Sequence, residues 1–132
     1  MKITIDTNVL LRTVLHDDPQ QAQAAEELLS KASLIAFPMP CLCELVWVLG
    51  RSYNFTKAEL IHVVETLCNI PNVAIDRAAV EAGLSVLKAG GDFADGVIAH
   101  EGAWLGGETF VSFDKKAVSL LTKQGQKAKL LG

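Results

Sequence analysis

Four carboxylates stand beside core-forming sequence in this chain of 132 residues. Asp6 closes Lys2-Ile3-Thr4-Ile5 and is followed by Thr7 and Asn8. Glu44 lies inside Leu42-Cys43-Glu44-Leu45-Val46-Trp47, Asp95 inside Phe93-Ala94-Asp95-Gly96-Val97-Ile98, and Asp114 follows Phe110-Val111-Ser112-Phe113. An ionised carboxylate is costly to bury unless a positive charge compensates it. Four such residues, spread along the chain, point to one site that gathers acids around a divalent metal. All four are oxygen donors, the preference of hard cations such as Mg2+ or Mn2+. A site of this kind supports attack on a phosphodiester: the cation neutralises non-bridging oxygens and lowers the pKa of a bound water. A second ion at roughly 3.5–4 Å would also steady the leaving oxygen. Thr7, Asn8 and Ser112 are small polar neighbours suited to holding a carboxylate or a metal-bound water, or to satisfying local backbone groups.

Three of the acids also have a capping explanation. Asp6 is a favourable N-cap for a helix starting at Thr7 or Asn8, and Asp114 for one over Lys115–Lys123. Asp92 and Asp95 form a D-x-x-D at a helix start, the first a natural N-cap and the second a first-turn acid favoured by the helix dipole. Glu44 differs. It falls mid-helix, with Cys41, Trp47 and Val48 as its one-turn neighbours and Arg51 two turns away as the nearest base. On this reading Glu44 needs a metal, a distant cation or a raised pKa, and the three aspartates become its co-ligands. His16, His62 and His100 have no partner at ligand spacing, and neither phosphate-binding glycine motifs nor a G-x-S-x-G occur.

The elements that must position these acids follow from hydrophobic periodicity and punctuation. Lys2–Ile5 reads as a strand. Asp18-Pro19 starts a helix whose apolar face is Ala22, Ala25, Leu28, Leu29 and Ala32. Leu34–Phe37 is a second strand, stopped by Pro38 and Pro40. A helix apolar nearly all round, hence buried on more than one side, runs from Cys41 to about Tyr53. Thr56-Lys57-Ala58-Glu59 is a capping box, Asn72–Ile75 a strand, and Asp76 the cap of a helix ended by Gly90-Gly91. Helices over about Asp92–Trp104 and Lys115–Lys123 flank a strand ending at Phe113, and Lys127–Leu131 is a last strand. The order β-α-α-β-α-α-β-α-α-β-α-β predicts a three-layer α/β/α fold with a mainly parallel central sheet of about five strands, in one domain over 1–132. Such folds build sites outside the carboxyl ends of strands, where Asp6 and Asp114 fall.

Composition narrows the classes. An apolar fraction of 50% and a mean hydropathy of +0.30 exclude a disordered chain. The longest apolar run, Leu45 to Leu49, is far short of the ~20 residues of a membrane span. Cys41, Cys43 and Cys68, odd in number, fit reduced thiols in a cytoplasmic protein. The net charge of −3 hides an asymmetry: the five lysines 115, 116, 123, 127 and 129 follow the last acid, Asp114. That tail is either a polyanion-facing edge or an ordinary solvated surface.

The segments Ile5-Asp6-Thr7-Asn8-Val9-Leu10-Leu11-Arg12, Cys43–Leu49, Asp92–Ala99 and Phe110–Ala117 together resemble a PIN domain, in order and over essentially the whole chain. Within that superfamily the chain is similar to the short VapC-type toxins of type II toxin–antitoxin pairs. The resemblance implies a Mg2+- or Mn2+-dependent ribonuclease with acidic ligands at Asp6, Glu44, Asp95 and Asp114, and Asp92 as an accessory acid. Asn8 and Ser112 would be supporting groups, Ser112 standing where many relatives carry Thr. Gly96 and His100 stand where small apolar residues are common. The resemblance also implies a homodimer inhibited by a small antitoxin that covers a groove. The RNA would be contacted in single-stranded regions, with Arg12, Lys115 and Lys116 as candidate backbone contacts. Two other classes compete: a catalytically silent PIN module that binds RNA or a protein, and a phosphatase or receiver-like domain with Asp6 as nucleophile. The second lacks an acid two residues after Asp6, where Asn8 stands. Trp47 and Trp104 are either core or part of a partner surface.

Overall fold

A computed structural model describes residues 1–132. The chain divides into two compact units, Met1–Asp76 and Arg77–Gly132.

The first unit contains β1 (Lys2–Thr4), α1 (Thr7–Leu15), α2 (Pro19–Lys31), β2 (Leu34–Ala36), α3 (Met39–Ser52), α4 (Lys57–Cys68) and β3 (Val73–Ala74). Its strands pair in the order β1-β2-β3, all parallel, with Lys2 opposite Leu34 and Ala36 opposite Ala74. Parallel neighbours need a long crossover, and each crossover here is a pair of helices. Ile5, Leu10, Ile35, Phe37, Leu42 and Val64 are among the residues that fill the core. Asn72 ties the last strand back by donating to the Ala32 carbonyl at 2.7 Å.

The second unit contains α5 (Arg77–Lys88), α6 (Phe93–Trp104), β4 (Phe110–Ser112), α7 (Lys115–Lys123) and β5 (Ala128–Leu130). β4 and β5 pair in parallel, Phe110 opposite Ala128 and Ser112 opposite Leu130. Helices α5 and α6 approach through glycine. A Cβ on Gly96 would lie 2.3 Å from the Ala82 carbonyl oxygen, and one on Gly83 would lie 2.6 Å from the Phe93 ring. Backbone therefore meets backbone at Gly96, while Phe93 folds over Gly83 and is fully buried, a burial that stabilises by about 2–3 kcal/mol.

All twelve elements occur in the expected order, and every strand pair is parallel. The five strands are hydrogen-bonded as a set of three and a set of two, not as one continuous ladder. They are also shorter than the apolar segments that announce them, because Ile5 and Phe37 continue as single backbone bonds, to the Ala36 and Ala74 carbonyls.

Two expectations for α3 are corrected. It begins at Met39, not Cys41, since Pro40 occupies its first turn, where no amide is needed. It is buried along one stripe only: Met39, Leu42, Leu45, Val46 and Leu49. Trp47 is 62% exposed, and Glu44 is exposed as well. Leu and Val in the sequence made the helix read as apolar all round, but Val48 is only half-buried and the polar positions align with Trp47 on the open side. No helix is long and apolar enough to cross a membrane.

Candidate metal centre

The second unit brings three aspartates together. One carboxylate oxygen from each of Asp92, Asp95 and Asp114 lies within 4.8 Å of the others. Each arrives by a different local route. Asp92 occupies the N-cap position of α6, but its side chain makes no capping hydrogen bond to that helix. Asp95 follows in the first turn, where i to i+3 spacing places it on the same helix face. Asp114 caps α7: its Oδ1 accepts the Lys116 amide at 2.9 Å and the Ala117 amide at 3.2 Å. Ser112 fixes the approach to it, its hydroxyl accepting the Asp114 amide at 3.0 Å.

Asp95 is the strained member. Burial first, then the negative charges of Asp92 and Asp114, raise its carboxyl above the ordinary carboxylate value. Both causes favour the neutral acid, and both are relieved by a cation among the three oxygens. The donor set is all carboxylate, as hard divalent ions prefer. With one oxygen of each acid within 4.8 Å of the others, the three carboxylates could hold one divalent ion in common. The residues present therefore fit a Mg2+- or Mn2+-type ion.

Asp6 and Glu44 belong to the first unit. Asp6 caps α1, its Oδ1 accepting the Val9 amide at 3.1 Å, and is solvent-exposed at the carboxyl end of β1. The Cys41 thiol donates to the Ile5 carbonyl at 3.6 Å, which fastens the first turn of α3 to the residue preceding Asp6. Glu44 follows Cys41 by one turn, so both acids lie toward the carboxyl ends of β1 and β2. Glu44 is not buried among Trp47 and Val48, and the supposition that its surroundings demand a cation is withdrawn: water solvates it. Asp6 also opens onto a groove of about 380 Å3 between α1 and α2, bordered by Asn8, Arg12 and Gln21. Arg12 is paired there with Asp17 at 2.9 Å. Thr7 is half-buried at the start of α1.

Lys115 and Lys116 are exposed on the first turn of α7, next to Asp114, and Lys123, Lys127 and Lys129 are exposed too. His100 is half-buried on α6, with its Nε2 buried and without a hydrogen-bond partner. Sequence reasoning ranked Asp92 as accessory, whereas it stands as a full member of the cluster. Its D-x-x-D spacing with Asp95 was the available signal. Gly96, which seats Asp95, was readable only as a small residue.

An α/β fold with parallel strands, and a carboxylate cluster formed at the starts of α6 and α7, is compatible with a metal-dependent nuclease. The PIN domain family profile matches residues 3–120, across both units, and the chain belongs to that family. No curated protein matches the chain.

Proposed function

We propose that the protein is a metal-dependent endoribonuclease that hydrolyses RNA phosphodiester bonds, the toxin of a toxin–antitoxin pair. The observation that carries the reading is the Asp92–Asp95–Asp114 cluster, with Asp95 held above its ordinary pKa by burial and by its two neighbours. Family membership supports the nuclease class, and the matched span, residues 3–120, includes Asp6, Glu44, Asp95 and Asp114.

Asp95 and Asp114, with Asp92, would hold a Mg2+ or Mn2+ ion; Asp6 and Glu44 are proposed as ligands on the family resemblance alone. When bound, that ion supplies charge neutralisation at the phosphate and a more acidic water. The chain's own residues do the rest. Ser112 holds the Asp114 backbone amide and the α7 amides hold its Oδ1, which together orient Asp114. Because Asp95 holds its proton more firmly than an ordinary aspartate, acid would compete with the ion for its carboxylate. Asn8 and Thr7 flank Asp6, whose carboxylate accepts the Val9 amide; Lys115 and Lys116 would draw the RNA backbone to the acidic site beside Asp114, and Arg12 would be a backbone contact on α1.

The antitoxin would take the groove beside Asp6, and a second copy would cover exposed apolar surface such as Trp104 and Leu105, which are 81% and 91% exposed. The cellular setting is the cytoplasm, in keeping with three cysteine thiols.

The direct test is incubation of the purified protein with labelled single-stranded RNA, with and without Mg2+ or Mn2+. Metal-dependent cleavage that EDTA and Asp95→Asn both abolish is expected. Cleavage unchanged by either rules the reading out, and RNA binding without metal binding or cleavage would mark a silent module.

A further inference from the structure

Three residues share the open side of α3 by helical spacing: Glu44, Trp47 three residues on, and Arg51 four beyond that. All three are exposed. The helix already has a complete core stripe on its other side, so Trp47 is not a displaced core residue. The Arg51 guanidinium carbon stands 5.8 Å from the centre of the Trp47 ring, within cation–π range. This contact restrains the indole while leaving most of it in solvent. The result is a flat π surface with a fixed positive charge beside it, roughly 4.5 Å along the helix axis from Glu44.

A nucleobase and its phosphate present the complement of that pair: an aromatic face and a negative charge. We propose that Trp47 and Arg51 form a stacking platform for one unpaired nucleotide of the RNA substrate. The proposal rests on the ribonuclease reading and adds a cause for single-strand preference. A base inside a duplex has both faces covered by its neighbours, whereas an unpaired base offers one to the indole. Stacking of this kind tolerates any base, because each has a π face. Trp47 acts here as a positioning residue, and Arg51 adds one phosphate contact.

Trp47 becomes the sole tryptophan in a Trp104→Phe protein, since the chain has two. Titrating that protein with a short single-stranded 2′-O-methyl oligonucleotide in Mg2+ should quench the indole emission saturably. Trp47→Ala should weaken binding about tenfold, and Trp47→Phe clearly less, because a ring remains. Arg51→Gln should reduce the salt slope by about 0.7, the loss of one single-strand phosphate contact. The exposure of Trp47 means that these variants fold, which circular dichroism verifies. Retained binding with no quenching, and with Trp47→Ala at wild-type affinity, overturns the platform but leaves the ribonuclease reading standing. No oligonucleotide binding by the parent protein overturns both. Emission that changes with protein concentration but not with oligonucleotide overturns the platform in favour of contact with a second copy.

Discussion

Asp6 and Asp95 both stand at the start of a helix, yet the two units hold them under opposite conditions. Asp6 is exposed, accepts the Val9 amide and sits where an N-cap belongs. Water and a backbone amide are what surround it. Asp95 is half-buried, and Asp92 and Asp114 press their charges on it. The first arrangement stabilises a helix whatever else the residue does. The second disfavours the charged form of Asp95, and a cation shared by the three acids would offset it. A carboxylate's meaning thus lies less in its position along a helix than in the sign of what surrounds it.

The largest effect expected is on catalysis. Asp95→Asn should lower cleavage of single-stranded RNA about a thousandfold, the scale of losing a key charged group in a preorganised site, as measured by single-turnover assays. If Asp6→Asn did as much while Asp95→Asn did little, the contrast between the units would be reversed. Next, Gly96→Ala should cost about 3 kcal/mol in denaturant unfolding, because its Cβ meets the Ala82 carbonyl and nothing flexible can yield. Third, Asp6→Ala and Asp114→Ala should each cost about 1 kcal/mol of stability through lost capping. Asp95→Asn, by contrast, should raise the melting temperature in metal-free buffer.

The pH dependence carries the same contrast. Asp95 keeps its proton more firmly when folded than when unfolded. Between about pH 4, where an unfolded aspartate titrates, and its higher folded value, the folded state binds more protons, so stability falls as pH rises. The penalty is absent below that window and complete above it. In metal-free buffer the melting temperature of the wild type should therefore gain on that of Asp95→Asn as pH is lowered into the window. Saturating Mg2+ should diminish the difference between the proteins at neutral pH. Smallest of all, Glu44→Gln should leave stability within about 0.5 kcal/mol, as befits an exposed position. A large loss would restore the idea that α3 shelters an unsolvated charge; a loss of activity without one would mark Glu44 as a ligand.

Much of this was readable in the sequence, and the failures share a cause. The element order, the capping box at Thr56 and Glu59, and the α7 boundaries follow from local punctuation, which acts within a turn or two. The D-x-x-D at Asp92 and Asp95 was legible for the same reason. Glu44 misled because the neighbours of a helical residue in sequence are not those it meets: Leu42, Leu45 and Leu49 point one way and Glu44, Trp47 and Arg51 another. The Gly96 contact was illegible because its partner is the backbone of another helix, and carbonyl groups carry no sequence signature. Likewise, the division of five strands into three and two depends on ladder geometry that apolar runs do not encode.

The closeness of Gly96 to Ala82 has one more consequence. That contact contains no charge, no rotamer and no titratable atom, so salt, acid and chelators leave it untouched. They change the energy of the acids on α6 but not the seat on which Asp95 rests. The backbone that carries Asp95 is thus held by shape alone, whatever the charge state of the three acids beside it.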